Sequence, residues 1–460
     1  MAGIGFVLKK LSQQDNLLGW MRAHVNATVL ATFPWIFTII AFWAVTLSVS
    51  GYMPFPESMN FTIIIIYNFS FSSVFCGLLT MASTRYIADC IYRKDTSPVP
   101  GMLLGTIIVF LVTQAPLVIW FYVFAMNMDG PLALLSVANY LVIGLIWLTS
   151  VYLTAIKNYN SVLIAFGMGL LIAIIGSYFM GEYFSTNGVM AGFNVGLGFC
   201  LAMLLSNILS EYQFPFKSIF GIFAYIRKFW ILTLSGLVYN LAIWIDKLIM
   251  WFAPDATITD SGLRVNFTYD SAMFMAYLTF IPALGAFIFS LETSFHDKYV
   301  IFFNDSNRKV NYRQIRQNQI DLTNTIKESL NHFIAFQALF TIGLILLFPT
   351  LMNYFNLSLL TLGIFRFGAI GAFFHMLSLL LTIILSYFDC RKSILLIQSV
   401  FLALNGIFTL IIMKMDFIYY GLGYMLAAIV TFAVAAHLTI KHLKRLPYHT
   451  FITNNTAIQP

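Results

Sequence analysis

Long apolar runs alternate with short polar breaks along the 460-residue chain. A helix needs about 20 apolar residues to cross the hydrocarbon core of a bilayer. Runs of that length centre on residues 28–51, 60–84, 101–124, 132–154, 161–182, 188–209, 229–253, 268–292, 329–350, 364–388, 394–413 and 420–440. The runs are continuous and do not alternate at every second position, which predicts helices, not barrel strands. The pattern therefore predicts an all-α integral membrane protein of about twelve transmembrane helices.

Composition agrees. Hydrophobic residues make up 60% of the chain and charged residues 9%, against roughly 25% charged in soluble domains. Forty-six Phe and 23 Tyr suit lipid-facing and interfacial belts. Residues 1–27 carry Lys9, Lys10, Asp15 and Arg22 without a long apolar run, so no cleavable signal is expected. Cys76, Cys90, Cys200 and Cys390 lack metal-type spacing, and neither a zinc site nor a structural disulfide is expected.

Charge orients the helices. With the N-terminus placed in the cytoplasm, 21 of the 25 Lys and Arg fall on that side. The exceptions are Lys247, Arg264, Arg366 and Lys414. A wrong helix count would break this alternation partway, so both termini are expected in the cytoplasm. The net charge of +7 then reflects topology, and nucleic-acid binding is a poor reading of it.

Two stretches mix aromatic with basic residues as interfacial helices do: 4–26 before the first span and 212–228 before the seventh. Their matched placement predicts two six-helix halves, 1–210 and 211–460. Thr84–Asp95 also resembles Thr293–Asn304, each following the second span of its half. Repeats in one orientation are a common transporter design. The longest polar stretch, 293–328, is too short for a catalytic domain and reads as a docking surface, a cytoplasmic extension of the ninth span or a solvated anchoring loop.

Polar groups inside a bilayer are costly, so each is a functional candidate. The densest cluster is Tyr239–Lys247, where Asn240, Trp244 and Lys247 share a helix face and Asp246 points about 100° away. Neighbours on a helix do not face each other, so Asp246 and Lys247 are each expected to need another partner, Arg366 being one for Asp246. A helix ending near Ile245 would instead leave both at the outer interface. Glu292, Gln114 and His375 complete the transport-pathway candidates, against the plainer readings of an interfacial carboxylate, a helix-packing amide and a packing histidine. Arg366 could equally snorkel to the outer interface. Gln114-Ala115-Pro116, Pro34 and Pro282 can kink their helices, and Asn139, Asn194 and Asn405 can line a cavity or bond between helices. Aromatic faces with amides suit carbohydrate, though aromatics also suit lipid.

Several segments resemble the Pel exopolysaccharide exporter family: Met1–Phe6 followed by Leu8 and Leu11, Arg85–Asp89, Tyr239–Lys247, Ala276–Leu284, Glu292-Thr293, Tyr387–Asp389 and Leu446–Phe451. That resemblance spans the chain. It implies a branch of the multidrug/oligosaccharidyl-lipid/polysaccharide (MOP) flippase superfamily, with two six-helix bundles around a central cavity. It also implies a cargo rich in N-acetylhexosamines, a cytoplasmic glycosyltransferase that makes it, and membrane scaffold proteins. The polymer path would run between 28–210 and 229–440. The partner-docking candidates would be Arg85, Asp89, Arg93, Lys94, Arg308, Lys309, Arg313 and Arg316.

No G-x-x-x-x-G-K-[ST], G-x-S-x-G or HExxH motif occurs, so no enzyme activity or cofactor is expected. The alternative to a polymer exporter is a proton- or sodium-coupled flippase or antiporter of lipid-linked sugars or small molecules. It would need deep titrating carboxylates, for which Asp246 is the fair candidate. A membrane-embedded transferase would want clustered acids and histidines, which the chain does not group. A pure scaffold would not need intramembrane polar groups.

Overall fold

The computed structural model describes residues 40, 43–156, 159–212, 217–259, 261–282, 284–285, 295–308, 310–354 and 360–453. The helix expected at 4–26, most of the span at 28–51, Pro34, Glu292 and Lys309 lie outside these residues.

The described residues are predominantly helical. In chain order the main elements are α1 (Phe55–Arg93), α2 (Val99–Ile119), α3 (Gly130–Ile156), α4 (Tyr159–Glu211), α5 (Gly221–Lys228) and α6 (Trp230–Met250). After a hairpin of β1 (Thr257–Ile258) and β2 (Arg264–Val265) come α7 (Phe267–Leu278), α8 (His296–Asn307), α9 (Tyr312–Tyr354), α10 (Leu360–Tyr387), α11 (Arg391–Ile412) and α12 (Leu422–Lys444). Nine helices among the described residues are long and apolar enough to cross a membrane. One of them, in α4, runs for 51 residues and supplies two of the expected spans, because its path turns at Ser185 (φ 52°, ψ −135°).

Lipid is the only solvent that suits their outer faces. On α9, Phe336, Leu339, Ile342, Leu346 and Leu347 are all exposed, a stripe that water would not tolerate and hydrocarbon accepts. The opposite face is polar where it turns inward: Gln337 is buried and its Nε2 donates to the Thr279 carbonyl and to Thr341 Oγ1, 3.1 Å each. That carbonyl sits just past the end of α7, which stops at Leu278, four residues before Pro282. Gln337 thus satisfies backbone that a broken helix would leave unpaired in lipid. The stretch 293–328 is helical in its described part, as α8 and the first turns of α9. At 43 residues α9 is about 64 Å long, some twice the hydrocarbon thickness.

The chain forms two compact units, one reaching to Phe267 and one running from Thr268. The first contains α5 and α6 as well as α1–α4. Its core holds Phe61, Phe110, Tyr122, Tyr152 and Phe193. The core of the second is built from Phe295, Phe302, Leu322, Leu380, Ile384 and Leu385.

Each unit has two distinct ends. In the first, Tyr225 Oη donates to Asp89 Oδ2 at 3.1 Å, so the end of α1 and the helix before α6 share one end. At the other, Tyr52 Oη donates to the Tyr178 carbonyl at 3.0 Å and Ser185 bonds Glu57. In the second unit Tyr299 Oη donates to the Tyr387 carbonyl at 3.0 Å and Gln319 Nε2 to that of Leu443 at 2.6 Å. Those pairings match the alternation of sides read from charge.

The hairpin between α6 and α7 was not foreseen by an all-helical reading. Thr257 pairs with Val265 and Ile258 with Arg264, and Gly262 takes the left-handed conformation (φ +78°) that its turn needs. Four strand residues carry too little pattern to register in a sequence.

Candidate functional site

One set of the first unit's polar groups lies along the seam between α1 and α6. That seam is closed by two glycines. A Cβ on Gly236 would lie 2.2 Å from the Gly77 carbonyl oxygen, and one on Gly77 would lie 2.5 Å from that of Gly236. Only residues without side chains let the backbones approach this closely, a common device between membrane helices.

This approach aims the face of α6 foreseen from its sequence at α1. Asn240 Nδ2 donates to the Gly236 carbonyl at 2.9 Å and lies against Gly77. One turn on, Trp244 Nε1 donates to Ser73 Oγ at 3.0 Å. A further turn brings the Lys247 ammonium to 5.8 Å from the Trp244 ring centroid.

Asp246 and Lys247, each expected to look to another partner, also reach each other. The Lys247 ammonium lies 3.1 Å from each Asp246 carboxylate oxygen and 3.1 Å from the Ile243 carbonyl. The two Cβ atoms do diverge, but a four-carbon lysine stem is long enough to curl back, and a buried charge costs several kcal/mol unless compensated. Nor does α6 stop at Ile245: it continues to Met250, with Asp246 0% and Lys247 6% exposed.

Beyond this pair an aromatic column closes the seam. Tyr67 stacks on Trp251 (centroids 4.4 Å, 14° between planes) and lies 6.2 Å from Phe121. Its hydroxyl donates to the Arg264 carbonyl at 2.8 Å and accepts from the Arg264 N–H at 3.1 Å. The hairpin is therefore gripped at its β2 backbone, while the Arg264 side chain lies over the Phe252 ring at 5.1 Å.

A second polar group sits inside the same unit. Asn68 Nδ2 donates to Asn139 Oδ1 at 2.8 Å and to the Ser136 carbonyl at 3.1 Å. Asn139 Nδ2 donates to Asn194 Oδ1 at 2.7 Å, and Asn194 Nδ2 donates to the Leu135 carbonyl at 2.8 Å. Tyr122 Oη completes it by donating to Asn68 Oδ1 at 2.7 Å. Tyr122 is turned inward by a π-helical turn, Trp120–Ala125, that follows Pro116 within α2. Gln114 is buried nearby in sequence and accepts from Tyr140 Oη at 2.9 Å. Asn139 and Asn194 were foreseen as polar residues of their spans. Asn68 and Tyr122 were missed, although a lone Asn in the apolar run 60–84 was a visible signal.

The basic end divides the docking candidates. Arg85 and Asp89 are engaged within the unit: Arg85 Nε is 3.3 Å from Asp89 Oδ1, and its guanidinium lies over the Phe229 ring at 5.1 Å. Both hold α5. Burial, followed by the bond to Asp89, raises the Tyr225 phenol above its ordinary value. Arg93 and Lys94 are exposed, as are Arg308, Arg313 and Arg316 in the second unit. Arg316 Nη1 donates to Gln319 Oε1 at 2.9 Å.

In the second unit His375 is buried among aromatic rings, its Nδ1 3.0 Å from Tyr424 Oη and its ring 4.5 Å from Phe401. Asn405 is buried and faces Thr409 at 3.5 Å. Arg366 is exposed on α10. No group of three or more His, Cys, Asp or Glu among the described residues could hold a metal ion.

These features, many apolar helices in a bundle with sparse polar groups bonded between spans, define a multi-pass membrane transporter fold, and comparison with solved structures agrees. The chain is similar to an inward-facing multidrug resistance MATE family transporter of the MOP superfamily (12% identity, 96% of this chain and 99% of that one, TM-score 0.62). It is similar also to a MOP superfamily transporter from Pyrococcus furiosus (15%, 91% and 96%, TM-score 0.59) and to the Vibrio cholerae MATE transporter VcmN in its bent form (13%, 92% and 98%, TM-score 0.59). At such identities the likeness shows the fold alone. Among curated proteins none matches the sequence. Residues 1–451 match the model of the PelG family, described as an exopolysaccharide exporter (EPS-E) family, and the chain belongs to that family.

Proposed function

We propose that this transporter carries a Pel-type exopolysaccharide, rich in N-acetylhexosamines, across the bacterial inner membrane as a cytoplasmic glycosyltransferase makes it. The observation that carries the reading is the family match over residues 1–451. Sugar hydroxyls and acetamides want neutral donors and acceptors beside aromatic faces, and the first unit is rich in both. Its described intramembrane acid, Asp246, is paired with Lys247, which favours passage driven by synthesis over passage driven by a titrating carboxylate. The basic ends would face the cytoplasm with both termini, and Arg93, Lys94, Arg308, Lys309, Arg313 and Arg316 would meet the synthase or scaffold proteins.

A second reading, an ion-coupled flippase of lipid-linked sugars or small molecules, draws on the MATE-like fold. Two measurements separate them. Deleting the gene should abolish surface polymer while the synthase still polymerises in detergent extracts; surface polymer persisting in the deletion strain would overturn the proposal. In vesicles, collapsing proton and sodium gradients should leave synthesis-coupled export running, whereas a coupled flippase would stop.

A further inference from the structure

We propose that α5 and its flanks form a binding surface for anionic phospholipid headgroups. Phe220, Phe223 and Arg227 recur at helical spacing on one exposed face, with Lys228 and Trp230 following and Lys217 preceding. Phe220 and Phe223 are 62% and 53% exposed. No Asp or Glu occurs between residues 217 and 230, so the three cations meet no opposite charge within the segment.

The opposite face is fixed. Ile222 and Phe229 are buried, Tyr225 packs edge-on against Tyr86 with centroids 4.8 Å apart, and its hydroxyl is held by Asp89. Upstream, the backbone of Lys217 and Ile219 lies so close to α2 that a Cβ on Gly101 or Gly105 would fall 1.8 or 1.7 Å from their carbonyl oxygens. The exposed face is therefore presented in one orientation, beside the ends of α1 and α2 and the start of α6.

Towards the ends of membrane-spanning helices hydrocarbon gives way to headgroups. Two phenylalanines ahead of two cations match that boundary, rings toward the acyl region and charges toward phosphate. A water-soluble acidic partner would leave the rings unexplained. The inference needs only the membrane location and is independent of cargo.

The test uses the purified whole protein, stripped of lipid in detergent, with bound lipid counted by native mass spectrometry. Phosphatidylglycerol should bind, phosphatidylcholine weakly, and soluble glycerol phosphate not at all. R227Q/K228Q should weaken phosphatidylglycerol binding about 25-fold, roughly five-fold per charge removed. The charge-preserving R227K/K228R should bind as the wild type, as should K441Q/K444Q in the other unit. Should R227Q/K228Q fail to fold, K217Q alone should show the single five-fold loss. Undiminished binding in the charge-removing variants, equal affinity for the two lipids, or displacement by glycerol phosphate would each overturn the proposal.

Discussion

Lys247 curls back so that its ammonium sits 3.1 Å from both carboxylate oxygens of Asp246, its immediate neighbour on α6. The pair is a local, neutral unit inside a membrane-spanning helix, which changes what its disruption should do. Removing one member takes away the other's opposite charge in a dry setting, at a cost of up to about 3–5 kcal/mol. Asp246→Asn or Lys247→Met should each lower the melting temperature of the purified protein sharply, while the double variant should regain most of the loss. If the double variant folds yet fails to export polymer, the pair takes part in transport. If D246N melts like the wild type, the pair contributes nothing to the fold.

The glycine contact makes a sharper demand. Gly236→Ala would drive a methyl into the Gly77 carbonyl, 2.2 Å away, and backbone cannot step aside as a side chain can. Overpacking of this sort costs about 1–3 kcal/mol. The variant should accumulate poorly in membranes, whereas Gly363→Ala, with its nearest neighbour at 3.9 Å, should accumulate as the wild type does.

The amide network predicts a different signature. Asn68→Leu keeps the volume but deprives Tyr122, Asn139 and the Ser136 carbonyl of a partner. Interhelical bonds in membranes average about 0.6 kcal/mol and reach about 1.7, so the variant should lose roughly 2 kcal/mol in an unfolding titration. Tyr122→Phe removes a single bond and should lose well under half as much.

Cys390 offers a pH test at the turn between α10 and α11. Burial first, and Asp389 beside it second, push its thiol up to about 11. A raised value leaves the neutral thiol dominant at pH 7.5, and only the thiolate alkylates. Maleimide labelling of Cys390 should therefore be slow near neutrality and climb about tenfold per pH unit until the pH approaches 11. A Tyr312→Cys protein, modified at an exposed site, should label faster at pH 7.5, and equal rates would contradict the assignment.

Much of this protein was legible along the chain, because the properties concerned are local. Apolar length marked the spans, since the bilayer sets about 20 residues for every helix alike. Basic residues marked alternate ends, and the tertiary pairings of Tyr225 with Asp89 and Tyr299 with Tyr387 agree with them. Helical spacing placed Asn240, Trp244 and Lys247 on one face, since 100° per residue is a property of the helix alone. What tertiary structure alone decided was which faces meet. Nothing near Gly77 in the chain names Gly236 as its neighbour, and nothing near Asn68 names Tyr122 or Asn139. Lys247 could be assigned to Asp246 only once burial had removed water as its partner. Hydrophobic length and helical phase are summed along the chain, whereas a hydrogen bond or a glycine contact depends on two distant segments arriving together.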